Sequence, residues 1–172
     1  MDLTTNYLGL CLRSPLVPSA SPLSEKIDNV RAMEQAGAAA VVFYSLFEEE
    51  IDAVAPECRV GPRTYLEHIA QAKRTVGIPI IASLNCNTLG GWLSYARRIT
   101  EAGADALELN IYKIPTRNDV PGGIIENIYI DIVRSVRAAT KIPLAVKLSP
   151  YFSSVANIAA GLDALNVDMS DR

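Results

Sequence analysis

Ala36-Gly37-Ala38-Ala39-Ala40-Val41-Val42-Phe43 and Ala102-Gly103-Ala104-Asp105-Ala106-Leu107-Glu108-Leu109 are two copies of one junction, set 66 residues apart. In each, a glycine stops a helical stretch and an apolar run opens a strand. Between them Gly77-Ile78-Pro79 introduces another apolar run, and Lys141-Ile142-Pro143 repeats that entry 64 residues further on. Each period of about 65 residues therefore holds two strand–helix units, which is the grammar of a parallel α/β barrel. Four such periods close an eight-stranded barrel of roughly 250 residues. The chain has 172 residues, and where a third Ala-Gly-Ala falls due it reads Met169-Ser170-Asp171-Arg172. The expected fold is α/β, an incomplete TIM (β/α) barrel of about five parallel strands with an N-terminal β-hairpin. Residues 1–172 form a single partial domain, with strands six to eight missing.

Outward from the repeat, Leu8-Gly9-Leu10 reads as the turn of the hairpin, and Arg13-Ser14-Pro15 breaks before a first barrel strand at Leu16-Val17. Ser24 caps a helix with Glu25 and Asp28 in its first turn, where carboxylates suit the helix dipole. Ile27, Val30, Met33 and Ala36 keep helical spacing along it. Strand two spans Ala39 to Tyr44. The acidic run Glu48-Glu49-Glu50 and the irregular stretch to Arg63 read as a solvated loop over one barrel mouth. Pro62 starts the next helix, and strand three is Ile78 to Asn85. Gly90-Gly91 opens a helix to Ala102, with Trp92 packing it on the barrel. Strand four is Asp105 to Tyr112, a helix runs from about Ile125 to Ala139, strand five is Leu144 to Ser149, and a last helix spans Ser153 to Leu165.

Bulk properties fit an ordinary α/β protein: 49% of residues are apolar and 20% charged. A formal net charge of −3 gives no basic footprint for nucleic acid. The longest apolar stretch, Ala38 to Phe47, is far short of the ~20 residues of a membrane span. No secretory leader is visible, and Cys11, Cys58 and Cys86 are odd in number and widely spaced. A reduced, cytoplasmic setting is expected. One histidine and no paired cysteines leave no metal-ligand set. His68 reads as a surface residue and Cys86 as inert.

Strand side chains alternate between faces. Leu144, Val146 and Leu148 suit the surface beneath the helices, so Ala145, Lys147 and Ser149 face the interior. Leu107, Leu109 and Ile111 likewise place Ala106, Glu108, Asn110 and Tyr112 inside. Ile80, Ala82 and Leu84 leave Ile81, Ser83 and Asn85 inside. Polar groups thus gather toward the C-terminal strand ends, where barrel enzymes build their sites. Asn110, Tyr112 and Lys147 at one mouth point to a small-molecule ligand. A purely structural interior pair of Glu108 and Lys147 is the alternative.

Ser14-Pro15-Leu16-Val17-Pro18-Ser19-Ala20-Ser21, Glu108-Leu109-Asn110-Ile111 and Val146-Lys147-Leu148-Ser149-Pro150 resemble, in order, the dihydroorotate dehydrogenase family, N-terminal part only. The resemblance covers the chain to about Leu165. It implies a barrel holding FMN at its C-terminal mouth, oxidation of a carbon–carbon single bond next to a carbonyl, and pyrimidine biosynthesis. It implies that Ser19 and Ala20 lie along the flavin through their backbone, beside the matching Ser45. It implies that Asn110 hydrogen-bonds substrate or flavin edge and that Lys147 sits at the N1/O2 end, where a cation offsets the charge brought by a hydride. Asn85 and Tyr112 join Asn110 as substrate contacts.

Three positions depart from the family. Its lysine after strand two is Tyr44 here, an expected asparagine is Arg59 after a shortened segment from Ile51, and its catalytic Cys or Ser after strand four is Lys113. Lys113 and Lys147 are therefore the candidate catalytic residues. An ordinary lysine is a poor base at neutral pH, so no appreciable oxidation of dihydroorotate is expected. Barrels of this type hold phosphate on loops after strands seven and eight. A chain without them is expected to be inactive or impaired, colourless, and prone to self-association or to pairing with a complementing chain. Its open inner face would expose Val42 and Ile81. Two other functions stay open: a non-catalytic half-barrel remnant or assembly module, and a flavin-free Schiff-base or proton-transfer enzyme built on Lys147.

Overall fold

The hairpin comes first. β1 (Thr5–Tyr7) and β2 (Leu10–Leu12) pair antiparallel around a two-residue loop, Leu8-Gly9. Both loop residues have positive φ, 56° and 71°, as the mirror-image turn of a tight hairpin requires. Leucine is an unusual occupant of that conformation, which costs a non-glycine residue about 1–2 kcal/mol. Its side chain is buried, and full burial of a leucine contributes about 1.5–3 kcal/mol, so burial offsets the strain. In a computed structural model, residues 1–48, 62–86 and 88–165 are described, together with the backbone of 168–169.

After the hairpin come a short 3-10 turn at Pro22–Glu25, α1 (Ile27–Gln35), β3 (Val41–Phe47), α2 (Pro62–Thr75) and β4 (Ile80–Asn85). Then follow α3 (Leu89–Glu101), β5 (Ala106–Asn110), α4 (Gly122–Ala139), β6 (Leu144–Lys147), α5 (Val155–Asp163) and β7 (Asp168–Met169). The sheet order is β3-β4-β5-β6-β7, every pair parallel. It is the alternating strand–helix order that the repeat predicts, and among the described residues the sheet is open rather than closed into a barrel.

The repeat has a physical basis at both junctions. After α1, Gly37 N–H donates to the Glu34 carbonyl and Ala38 N–H to that of Met33. After α3, Gly103 and Ala104 do the same toward Thr100 and Ile99. This pair of bonds is a Schellman stop, and it requires φ near 104° at Gly37 and 93° at Gly103. The prolines of the other junction donate nothing, yet Pro79 and Pro143 accept from Val41 and Leu107, tying successive strands at equivalent places.

Several boundaries differ from the sequence reading. Leu16-Val17 is not a regular strand, although the Leu16 and Pro18 carbonyls accept from Ala39 and Val42 and so lie along β3. Pro15 and Pro18 have no N–H to complete a ladder there. Ser24 does not cap α1. It sits in the 3-10 turn, donates to the Ser21 carbonyl and accepts from Tyr44 N–H. The sequence reading placed no strand after Ser149, whereas the two-residue β7 pairs with Ala145 and Val146 of β6.

Two apolar layers hold the sheet. The outer one packs Val41, Phe43, Ile80, Leu84, Leu107, Leu109, Leu144 and Val146 against the helices through Tyr65, Ile69, Trp92, Ile99, Val133 and Val136. The inner one seats Leu8 and Leu12 of the hairpin on Ala40, Val42, Ile81, Ala106 and Ala145. Val42 and Ile81 are therefore buried, not exposed as an open inner face would leave them. The hairpin supplies the cover that the strand count omits.

Candidate functional site

Register sorts the interior into rows. The lowest is Val42, Ile81 and Ala106, joined across β3, β4 and β5 and covered by the hairpin. Above it, Ser45 pairs with Ser83, Ser83 with Glu108, and Glu108 with Ala145. Two residues further along, about 6–7 Å up each strand, Asn110 pairs with Lys147, and Asn85 ends β4. An apolar floor, a polar row and a mouth row thus follow one another toward the C-terminal strand ends.

The polar row is continuous. Ser45 Oγ and Ser83 Oγ are 2.9 Å apart, and Ser83 Oγ donates to Glu108 Oε1 at 3.1 Å. Ser83 and Glu108 are 0% and 4% exposed, whereas Ser45 is half-buried, so the row opens at its Ser45 end. A register shift between Val42 and Ser45 makes this possible. The extra residue lets Phe43 and Tyr44 both pack in the outer layer and returns Ser45 to the inside.

Tyr65 of α2 fills the gap beside that shift. Its hydroxyl accepts from Ser83 N–H at 2.9 Å and donates to the Ser83 carbonyl at 3.0 Å. Burial pushes the Tyr65 phenol well above its ordinary value, and the bond to the Ser83 backbone only partly opposes this. Tyr44, at the position of the family's lysine, bonds His68 Nδ1 at 3.1 Å and stacks edge-on to Tyr65. Its ring packs in the outer layer, with Phe43 and Tyr65. His68 is accordingly a half-buried partner of Tyr44 and not a plain surface residue.

The predicted site residues divide into two groups. Asn110 and Lys147 are side by side and half-buried, with Asn85 half-buried at the end of the adjacent strand. Ser45 stands one row below. The Ser19-Ala20 backbone follows the Pro18 contact to β3 and leads toward the same strand end. Tyr112 and Lys113 lie beyond β5, which stops at Asn110. Both side chains are exposed, and Lys113 N–H donates to the Tyr129 hydroxyl at 3.3 Å. Tyr112 is therefore a loop residue at the mouth, not an interior strand residue. Arg59, Ile51 and Cys58 lie outside the described residues.

Two groups passed over by the sequence reading bear on the mouth. Glu48, expected on a solvated edge, is buried, and its carboxylate accepts from Thr88 N–H at 2.8 Å and from the Thr88 hydroxyl. Thr88 in turn caps α3 by accepting from Gly91 N–H. Glu126 of α4 accepts from Ser153 N–H and Oγ, fastening the loop after β6. Among the described residues no cluster of three or more His, Cys, Asp or Glu could hold a metal ion. Among the same residues no helix is long and apolar enough to cross a membrane.

Comparison with known proteins adds lineage to this geometry. No family profile matches the chain. Dihydroorotate dehydrogenase B (NAD(+)), catalytic subunit, of Thermoplasma acidophilum is 28% identical over 174 residues, covering 92% of this chain and 58% of that protein. The same subunit of Thermoplasma volcanium is 26% identical with the same coverage. That of Geotalea uraniireducens is 34% identical over 118 residues, 63% of this chain and 38% of that protein. The chain thus resembles dihydroorotate dehydrogenases over most of its length and spans under two thirds of theirs. Among solved structures, a putative dihydrodipicolinate synthetase from Pseudomonas aeruginosa superposes with TM-score 0.63 at 15% identity, over 89% of this chain and 53% of that one. Dihydrodipicolinate synthase from Aquifex aeolicus gives 0.60 at 14% identity, over 87% and 50%. At such identities the likeness is one of fold.

Proposed function

We propose that the chain forms the ring-facing part of an FMN-dependent oxidoreductase of the dihydroorotate dehydrogenase type, acting on a CH–CH bond next to a carbonyl. The observation that carries this reading is the Asn110–Lys147 pair, joined in register at the mouth. The donor set fits the pyrimidine end of a flavin. Lys147 supplies a cation, Asn110 an amide that both donates and accepts, and the Ser19-Ala20 segment a backbone edge beside β3. When bound, the flavin accepts a hydride.

The chain's own residues divide the remaining work. Lys147 offsets the negative charge that develops at the pyrimidine end. Asn110, between Lys147 and the end of β4, orients a carbonyl or amide edge, and Asn85 extends that row. The apolar floor and the hairpin keep water from beneath the polar row. That exclusion strengthens every charge interaction above it.

Titration with FMN and with riboflavin tests the reading, followed by quenching of flavin fluorescence. The contacts proposed here all reach the ring, so the two ligands should bind this chain with affinities within about threefold. Lys147→Ala should weaken both by about tenfold, equivalent to 1.4 kcal/mol. Absence of flavin binding, or binding indifferent to Lys147, overturns the proposal. Borohydride trapping of a carbonyl compound on Lys147 would instead favour the Schiff-base function.

A further inference from the structure

We propose that Ser45 is the proton acceptor of this site and that Ser83 and Glu108 relay the proton inward. The proposal rests on the reading that the mouth holds a carbonyl compound, and it assigns the base that the substitution at Lys113 leaves open. Lys113 is exposed on the loop beyond β5. In the row below the mouth, Glu108 and Ala145 lie under Asn110 and Lys147, and the same row runs through Ser83 to Ser45 on β3.

Hydrogen-bond direction carries the argument. A serine hydroxyl has one proton to give. Ser83 gives its proton to Glu108 Oε1, so toward Ser45 it can only accept. Ser45 must therefore donate to Ser83, which leaves its own lone pairs to accept from a group at the half-open end of the row. A hydroxyl that donates inward toward a buried carboxylate and accepts from outside is arranged as a general base, in the way a carboxylate-backed relay activates a nucleophile. The register shift in β3 reads the same way, because shifts of this kind re-aim a side chain next to a site.

The step balances. The C–H bond next to the substrate carbonyl breaks and its proton bonds to Ser45 Oγ. The proton that Ser45 held moves to Ser83 Oγ, and the proton of Ser83 moves to Glu108, which ends as the neutral acid. With flavin bound, the electron pair left on carbon would form the new C=C bond and the flavin would serve as acceptor for the hydride of the adjacent carbon, so that substrate would be oxidised at the flavin's expense. Without flavin the pair stays as an enolate, which can take back a solvent deuteron.

That last property gives a test independent of the loaded enzyme. The flavin-free chain is incubated in D2O with dihydroorotate or dihydrouracil, and exchange at the carbon beside the carbonyl is followed by NMR. Ser45→Ala and Glu108→Gln should each slow exchange by about 100-fold, the lower end of the range for a general base. Ser45→Thr, which keeps the hydroxyl, should restore most of it. Absence of exchange with both compounds, or exchange unchanged in Ser45→Ala, overturns the relay. Exchange lost in Lys113→Ala but kept in Ser45→Ala overturns it equally. Flavin binding measured on the same samples separates the two proposals. Exchange dependent on Ser45 without flavin binding sinks only the oxidoreductase reading, and flavin binding without such exchange sinks only the relay.

Discussion

Two adjacent glycines at the start of α3 stand in opposite surroundings. A Cβ on Gly90 would meet nothing within 4 Å, whereas one on Gly91 would collide with the Glu48 carboxylate, its carbon lying 2.7 Å away. Gly91→Ala should therefore displace Glu48 from Thr88 and lower stability by about 1–2 kcal/mol, the cost of a lost cap. Gly90→Ala should be neutral or stabilising by up to about 1 kcal/mol. Thermal melts of the two variants compare them directly, and equal melting temperatures would contradict the collision. The sequence marks Gly90-Gly91 as a helix start because glycine pairs punctuate locally. It does not mark Glu48 as buried, because its partner Thr88 lies 40 residues away and an acidic run looks the same whether solvated or capping. Asn110 and Lys147 were legible for the converse reason. Alternation within each strand fixes their face, and the repeat fixes the strands as neighbours.

At the scale of elements, β3 and α2 depend on one hydroxyl. Tyr65→Phe would leave the Ser83 N–H and carbonyl buried without their partner, at about 1–3 kcal/mol per unsatisfied group. Chemical denaturation should show a loss of at least about 2 kcal/mol. Alkaline titration tests the same contact by another route. The folded chain holds the Tyr65 proton more tightly than the unfolded chain does. Its contribution is complete below the ordinary phenol value of about 10 and declines as pH rises above it, since only the unfolded state then releases the proton. Tyrosinate absorbance should show that Tyr65, one of seven tyrosines, ionises only with unfolding, and the step should vanish in Tyr65→Phe. A smooth titration of all seven in the folded chain would contradict it. The register shift that creates this arrangement is not legible in Val41-Val42-Phe43-Tyr44-Ser45. Strict alternation would send Tyr44 inward with Val42, and only packing of both rings under α2 overrides it.

At the scale of the whole molecule, the sheet is open and its C-terminal side carries exposed apolar side chains. Phe47, Leu89, Tyr112, Ile114, Ile124 and Tyr151 are all at least 40% exposed around the mouth. Such a surface favours association. Sedimentation or light scattering should show self-association of residues 1–172 that strengthens with concentration, and a strictly monomeric chain would contradict it. The parallel order of the sheet was legible because two kinds of junction recur at one spacing, each with its own backbone chemistry. The covered floor was not. Leu8 and Leu12 read locally as a small hairpin, and nothing in their spacing tells which distant residues they will meet.

That hairpin decides traffic as well as burial. With Leu8 and Leu12 seated under the inner face, the way in from below is shut, while the open sheet leaves the upper rows reachable along the strand ends. A ligand of the proposed site would therefore come and go on the side of Ser45, Asn110 and Lys147, and the hairpin would act as the stopper beneath it.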